Sequence, residues 1–133
     1  MIRLAIALAA FAAPALAQDT GATPMTGAEF GAYVTGKTLM FGTGADPYGG
    51  EDYLPGQRVR WSFLDGRCLE GIWYEAAPNI CFVYSDDPEP ICWSFYETPN
   101  GLTALLEGDP DEGLYETGEA QEPLFCLGPD VGV

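Results

Sequence analysis

Glu70 is the residue of this sequence whose side chain is best placed to bind a ligand or to transfer a proton. The strand pattern places it on an aromatic sheet face, opposite Trp61 and near Tyr84. A carboxyl group among rings must find a hydrogen-bond donor or become protonated, and groups perturbed in this way mark functional sites. Glu70, Trp61 and Tyr84 are therefore candidates for a ligand site. In the alternative, structural interpretation, Glu70 bonds a tyrosine hydroxyl or Lys37, or a β-bulge turns it outward.

Arg58 and Arg60 form a second candidate site. They stand two positions apart on a predicted strand, so their side chains project from the same side of the sheet. Two neighbouring guanidinium groups could hold an anionic ligand. The competing explanation is that each arginine pairs with nearby carboxylates, which are abundant in this chain.

The sequence contains no histidine, and this excludes several kinds of catalysis. Serine and cysteine hydrolases that use a histidine base are ruled out, as are the common zinc hydrolase sites. An enzyme would need two carboxylates that converge in a cleft, which the residue pattern does not reveal. We predict no catalytic residue, no cofactor and a protein that is not an enzyme.

Two acidic loops, GADPYGGEDY and EGDPDEG, supply oxygen atoms of the kind that bind calcium. The carboxylates in them are Asp46, Glu51, Asp52, Asp109, Asp111 and Glu112. Neither loop has the spacing of an EF-hand. Solvated turns are therefore the favoured interpretation, and no metal site is predicted.

Residues 31–38, GAYVTGKT, match the phosphate-loop pattern G-x-x-x-x-G-K-[ST] letter for letter. A phosphate loop follows a strand and opens a helix, whose first amides hold the phosphate groups. Here Thr26 and Glu29 form a capping box upstream, so residues 29–35 are predicted to be a short helix that Gly36 ends. A strand, KTLMF, then follows. The order of elements is reversed, and nucleotide binding is not predicted.

The first 17 residues have the features of a secretory signal peptide. They contain one basic residue, Arg3, an apolar run, and alanines at positions 15 and 17 before the polar Gln18. We divide the chain into this signal peptide, a flexible segment over residues 18–25 and one disulfide-stapled β domain over residues 26–133. A periplasmic or secreted location is expected, without membrane insertion once the signal is removed.

The chain is strongly acidic. It carries 20 aspartates and glutamates against 5 lysines and arginines, a net charge of −15. This charge would repel nucleic acid and anionic lipid. It could instead steer the protein toward a basic partner, or serve only solubility.

The four cysteines, Cys68, Cys81, Cys92 and Cys126, are an even set in a chain with an export signal, so two disulfides are expected. A metal site is disfavoured because paired CxxC spacing and histidine are missing. A redox-active pair is disfavoured because no two cysteines are close in sequence.

From residue 57 onward, period-two segments alternate with turn signals, which is typical of an antiparallel meander. The strand candidates are QRVRWSFL, RCLEGIWYE, NICFVYS, ICWSFYET, LTALLE, LYET and EPLFC. Many short strands with one large apolar face must curl or be covered. We predict an all-β domain, a small antiparallel meander forming a barrel or strongly curved sheet, with one short N-terminal helix. A two-layer sandwich is the alternative.

Turn chemistry sets the predicted register. Asp65-Gly66 favours a two-residue hairpin that places Trp61 opposite Glu70. Further turns at residues 76–78, 86–87 and 100–101 extend the pairing. The apolar face then collects Trp61, Phe63, Ile72, Tyr74, Ile80, Phe82, Tyr84, Ile91, Trp93 and Phe95. The opposite face collects Arg58, Arg60, Ser62, Ser94 and Tyr96.

The same register suggests the disulfide pairing. Pro90 lacks an amide hydrogen, so Pro90 and Val83 should form a non-hydrogen-bonded pair. Such pairs alternate with hydrogen-bonded ones, so Cys81 and Cys92, two residues further along, should form a non-hydrogen-bonded pair as well. The side chains of such a pair lie close together, as a disulfide requires. The remaining pair is then Cys68 and Cys126. This connectivity is one of the three that four cysteines allow.

Several short motifs resemble a family of small exported proteobacterial proteins to which no activity is assigned. The motifs are GKT at 36–38, G-x-C-x-x-G-x-W at 66–73, ICF at 80–82, CW at 92–93 and the ending C-x-G-P-x-V-G-V. They consist of glycines, tryptophans and cysteines. The resemblance therefore implies an exported, disulfide-containing, β-rich domain and transfers no catalytic residue.

These observations favour a non-catalytic binding module. It would be an acidic interaction domain or inhibitor that docks on a basic periplasmic protein. The alternative is a β-barrel that binds a small apolar ligand in its aromatic interior. A salt-sensitive complex would favour the first hypothesis, and a cavity lined by aromatic residues and a carboxyl group would favour the second.

Overall fold

The structure, a computed structural model, describes residues 22–127 and is a closed antiparallel β-barrel with one helix. The predicted signal peptide at 1–17 and the end of the C-terminal motif at 128–133 lie outside the described residues. The elements in chain order are α1 Gly27–Val34, β1 Thr38–Gly42, β2 Pro47–Leu54, β3 Arg58–Ser62, β4 Leu69–Ala76, β5 Asn79–Tyr84, β6 Asp87–Thr98, β7 Gly101–Leu106 and β8 Gly113–Glu119. The fold class is therefore the predicted one, in its barrel form.

Each strand pairs with its neighbours in sequence, and β8 returns to pair with β1. A meander of this kind leaves no free sheet edge. An eight-stranded barrel is just wide enough for side chains to fill it or for one small ligand to enter. The barrel's interior is the only place in the described chain where a hydrophobic core forms.

Helix α1 closes one end of the barrel. Thr26 is its N-cap and forms the predicted capping box with Glu29, and Gly36 follows its end with φ of 85°. Phe30 and Val34, four residues apart on one face, are fully buried. The ring of Phe30 inserts among the aromatic residues of the barrel, with its centroid 4.4 Å from that of Phe95 and 5.1 Å from that of Trp73.

The predicted register is confirmed between β5 and β6. Between β6 and β7 the predicted faces are kept, but the turn is Pro99-Asn100 instead of Asn100-Gly101, because Thr98 pairs with Gly101. Phe82 faces Ile91 and Phe95 faces Ala104. Cys81 lies directly opposite Cys92, with their Cα atoms 4.0 Å apart. The predicted aromatic face is thus real over this half of the barrel, and it is the inner face.

The register of β4 is wrong by one residue. Trp61 faces Leu69 instead of Glu70, because residues 63–68 form a wider loop than the predicted two-residue hairpin. On the other side of β4, Ala77-Pro78 is a two-residue loop, shorter than predicted. The two errors compensate, so β3 and β5 keep their predicted faces and β4 alone is turned over. Its outward residues therefore include Ile72 and Tyr74, which were predicted to face the core.

Two further elements differ from prediction. Strand β2 occupies Pro47–Leu54, although most of this stretch belongs to GADPYGGEDY, for which the sequence favours solvated turns. The C-terminal segment EPLFC forms no strand. Instead it runs as a tail along the outside of the barrel, where the amide of Leu124 donates to Asp52 and the amide of Leu127 donates to the carbonyl of Gly66.

Both predicted disulfides, Cys68–Cys126 and Cys81–Cys92, are present. No cysteine among residues 22–127 is free. The first bond fastens the tail to the loop between β3 and β4, and the second joins two paired strands. Two such bonds indicate an oxidising compartment. No helix within residues 22–127 is long and apolar enough to cross a membrane.

Candidate functional site

A cavity of about 210 Å³ occupies the half of the barrel that lies away from α1. It opens between exposed side chains at the end where β2 begins and β3 ends. The ring of Phe30 packs against three residues of its wall, Tyr53, Phe82 and Phe95. Aromatic side chains make up most of its wall. Those that line it are Phe41, Tyr48, Tyr53, Trp61, Phe63, Phe82, Tyr84, Trp93 and Phe95.

Glu51 places a carboxyl group in this aromatic cavity. It stands at the middle of β2, between Leu39 of β1 and Trp61 of β3, and alternation along the strand points it inward. The residue is 1% exposed. Its one hydrogen-bond donor is the hydroxyl of Tyr84, which lies 3.0 Å from one carboxylate oxygen and 2.9 Å from the other.

Burial raises the pKa of Glu51 from 4.5 to about 8. Loss of hydration is the main cause, because a carboxylate in an apolar site is poorly solvated. The hydrogen bond from Tyr84 acts in the opposite direction, and the charge of neighbouring Asp52 adds to the increase. Glu51 is therefore largely protonated near neutral pH, and a modest change in its surroundings can ionise it.

Two tyrosines flank this carboxyl group, of which Tyr53 is buried and Tyr84 is partly buried. Burial and the nearby Glu51 raise the pKa of Tyr84 and that of Tyr53 well above the ordinary value. Both therefore keep their hydroxyl protons, and Tyr84 acts as a donor. The ring of Tyr84 also stacks on that of Phe82, with centroids 6.3 Å apart.

The mouth of the cavity has an aromatic rim formed by Tyr48 and Phe63, which are 42% and 53% exposed. A β-bulge beside Gly42 changes the register at Tyr48, and its ring meets that of Phe63 at 5.6 Å. Trp61 lies directly beneath both rings. Gly49 makes room for that indole, since a Cβ atom there would lie 2.3 Å from it.

An acidic hairpin forms the other side of the mouth. Asp86 lies between β5 and β6, and Asp87 and Glu89 lie at the start of β6. All three are exposed and border the cavity together with Ile91. Clefts lined by charge of one sign focus the electrostatic potential. The mouth therefore combines apolar rings on one side with negative charge on the other.

A second carboxylate, Asp52, is buried on the outer face of the same strand. It accepts hydrogen bonds from Thr38 at 2.6 Å, from the Leu124 amide at 3.0 Å and from two nitrogens of Arg60 at 2.9 and 2.6 Å. All of its accepting capacity is thus used within the fold. Asp52 holds the tail against the barrel and is not available to a ligand.

The structure brings together two of the predicted site residues. Trp61 and Tyr84 both line the cavity. The placement of Glu70 between them is wrong, because β4 is turned over: Glu70 is exposed on the outer face, opposite Arg60. Glu51 occupies the position predicted for Glu70.

Arg58 and Arg60 project outward as predicted, but they do not form a joint anion site. Arg60 is committed to Asp52, and Arg58 is exposed. Arg58 and Glu70 border a shallow outer depression that also contains Ile72. None of these residues reaches the aromatic cavity.

Sequence reasoning missed Glu51 because the surrounding letters, PYGGEDYL, resemble a polar turn. One signal was available: Glu51 and Tyr53 alternate with Asp52 and precede a second strand, a pattern compatible with a paired strand. Nothing in the sequence alone indicates that carboxylates at consecutive positions are both buried.

The phosphate-loop match and the acidic loops also have defined places in the structure. Gly31 lies inside α1 and Gly36-Lys37 in the turn after it, so the phosphate-loop match has the reversed order expected for a coincidence. Thr38 is hydrogen-bonded to Asp52. Within residues 22–127, no three acidic or cysteine side chains are grouped to hold a metal ion.

Comparison with known proteins provides no relative for this chain. No protein-family model, no curated protein and no solved structure matches it. The function must therefore be inferred from the cavity itself.

Proposed function

We propose that this protein is an exported, non-catalytic binding barrel that holds one small organic molecule in its aromatic cavity. The observation that carries the proposal is a cavity of about 210 Å³ with Glu51 buried in its wall. Apolar walls with a few placed polar groups are the usual composition of a small-molecule site.

The size of the cavity limits the ligand. An apolar cavity of about 150 Å³ accommodates benzene, so this one has room for roughly one ring and a short substituent. Drug-sized sites begin at about 300 Å³. A large hydrophobic ligand such as a long-chain lipid would not be enclosed.

The cavity contains one deeply buried acid, while Asp86, Asp87 and Glu89 stand at the solvent-exposed mouth. General acid–base chemistry usually needs a second group positioned on the substrate. This arrangement favours binding over turnover. The two disulfides and the signal-like first 17 residues favour a periplasmic or secreted location for the binding event.

An acidic protein-docking domain is the second candidate function. Phe63 and Leu64, both about half exposed, lie across the mouth from the acidic hairpin. An apolar patch beside negative charge would suit a basic protein partner. This complex would dissociate in high salt, whereas a molecule enclosed in the barrel would not.

The first test measures binding of one-ring compounds to the purified, oxidised protein by calorimetry and thermal shift. Toluene, benzyl alcohol, benzylamine and benzoate share one ring and differ in charge. We expect at least one to bind and to raise the melting temperature. Ala104→Leu, which fills the cavity from β7, should abolish binding, whereas Thr103→Leu on the opposite face of the same strand should not.

A second pair of variants tests the mouth. Phe63 and Phe125 are both exposed phenylalanines, but only Phe63 borders the cavity. Phe63→Ser should weaken binding and Phe125→Ser should leave it unchanged. If the protein binds none of the four compounds, or if Ala104→Leu binds them as the wild type does, the proposed function is wrong.

A further inference from the structure

We propose, building on the proposed function, that the ligand is a small organic amine whose ammonium group is held between the carboxylate of Glu51 and the surrounding aromatic faces. The ligand would then carry a positive charge and be small enough for the cavity. Three independent features of the described residues lead to it.

The first feature is that Glu51 has no positive partner among residues 22–127. Arg60 bonds Asp52 on the outer face, and Lys37 lies over the ring of Tyr33, 4.3 Å from its centroid. Arg58 and Arg67, the other basic residues of the described range, are exposed on the outside. A buried carboxylate is stable only when it is paired and hydrogen-bonded. A ligand cation would supply the missing charge.

The second feature is the aromatic wall around the carboxyl group. Trp61 faces Glu51 directly across the strands, and its ring centroid lies 6.3 Å from that of Phe41. The stacked rings of Phe82 and Tyr84 form another part of the wall. Ring faces attract cations, most strongly when the site is dry, and such cages are a recurrent way to bind amines.

The third feature is the charge at the mouth. Asp86, Asp87 and Glu89 border the entrance, and the chain as a whole carries −15. This potential attracts cations and opposes the entry of anions. A neutral ligand would gain nothing from it. An amine is therefore favoured over a carboxylate or an uncharged compound of the same shape.

Binding of an ammonium ion should release a proton. In the empty cavity Glu51 is largely protonated near neutral pH, and a cation beside it favours the ionised form. The amine enters already protonated, Glu51 gives up its proton to solvent, and the complex holds one positive and one negative charge. The ionisable groups that surround Glu51 are Tyr84, Tyr53 and Asp52. Both tyrosines stay protonated and Asp52 faces outward, so the released proton comes from Glu51.

The test compares benzylamine with benzyl alcohol, which has the same ring and differs in charge. At pH 8 we expect benzylamine to bind roughly 10- to 100-fold more tightly, the range typical of a hydrogen bond to a charged group. Glu51→Gln should abolish this preference. Glu70→Gln removes the same charge from the outer face and should preserve it.

Proton release provides a second measurement that does not depend on a variant. Calorimetry of benzylamine binding at pH 7 in buffers with different ionisation enthalpies should show release of nearly one proton by the wild type, and none with benzyl alcohol. If benzyl alcohol binds as tightly as benzylamine, or if no proton is released, the amine inference is wrong while the binding barrel stands. If neither compound binds, the proposed function fails as well.

Discussion

At the scale of single residues, Glu51 is the feature that sets this barrel apart from a packed apolar core. The carboxyl group is fully buried and is bonded by one hydroxyl group, while Asp52 beside it receives four hydrogen bonds, two of them from its ion-pair partner Arg60. Two adjacent acids thus have opposite environments, because alternation sends one inward and the other under the tail. The inward one is held at a cost in stability, and residues that cost stability often serve function.

The loss of stability caused by burying Glu51 should depend on pH. In the unfolded chain Glu51 loses its proton near pH 4.5, but in the folded protein it keeps that proton until about pH 8. Between these values the folded state binds more protons, so the free energy of unfolding falls as pH rises. The shift corresponds to a loss of at most about 5 kcal/mol, complete above pH 8.

Glu51→Gln should remove this pH-dependent loss. Urea unfolding near pH 4 should give similar stabilities for the variant and the wild type. The variant should become the more stable protein by several kcal/mol as the pH approaches about 8.5, since an amide does not ionise. Glu70→Gln is the matched control and should follow the wild type across the range. A constant difference between Glu51→Gln and wild type would show that Glu51 ionises normally in the fold.

At the scale of elements, local chemistry predicted the helix and most strands, and long-range packing decided the rest. The capping box at Thr26 and the turn glycine Gly36 are local signals, and α1 has those limits within two residues. The β5–β6 pairing also follows from a local turn. By contrast, β2 is a strand because β1 and β3 pair with it on both sides, and its letters alone favour a loop.

An aromatic interior with a carboxyl group in it was predicted, but the carboxyl group was assigned to Glu70 instead of Glu51. The aromatic interior follows from the alternation of β3, β5 and β6. Which acid occupies it depends on the length of the loop over residues 63–68, where Leu64 and Gly66 both adopt positive φ. Turn letters do not distinguish that wide loop from a two-residue hairpin, and an error of one residue exchanges the two faces of a strand.

The tail provides the prediction at this scale. The Cys68–Cys126 bond closes a sequence separation of 58 residues and the Cys81–Cys92 bond one of 11. Chain entropy then assigns about 4 and about 3 kcal/mol of stability to them. Replacing Cys68 and Cys126 by alanine should lower the free energy of unfolding by about 4 kcal/mol and speed hydrogen exchange at the amides of Leu124 and Leu127.

The matched control replaces Cys81 and Cys92 by alanine. That variant should lose stability while the two tail amides stay protected. The amide of Leu124 could remain protected without the Cys68–Cys126 disulfide. In that case the hydrogen bond to Asp52 is enough to hold the tail, and the disulfide stabilises the protein only through its effect on the unfolded chain.

At the scale of the whole molecule, negative charge dominates. The chain carries −15, and Arg60–Asp52 is the single ion pair within residues 22–127. Most carboxylates therefore repel one another without compensation. Self-repulsion of this kind destabilises a compact state and is screened by salt, whose Debye length falls from about 30 Å at 0.01 M to about 3 Å at 1 M.

Sodium chloride should therefore stabilise the protein. We expect the melting temperature to rise with salt concentration. For a domain of this size, each 1 kcal/mol added to the free energy of unfolding raises the melting temperature by roughly 4 °C or more. Calcium chloride at matched ionic strength is the control for the acidic loops, and it should stabilise no more than sodium chloride does. A melting temperature that falls with salt would mean that attractive pairs outweigh repulsion.

The seam between β1 and β8 has a consequence for how the protein folds. Seven of the eight strand pairings join neighbours in sequence, and the eighth joins Leu39 to Glu119 and Phe41 to Glu116 across nearly the whole domain. Hairpins form early because their loops are short, whereas a contact between distant residues waits for the largest loss of chain entropy. The ribbon of hairpins should therefore assemble first and the seam close last. Since Phe41 belongs both to the seam and to the cavity wall, the cavity should be complete only after this final step.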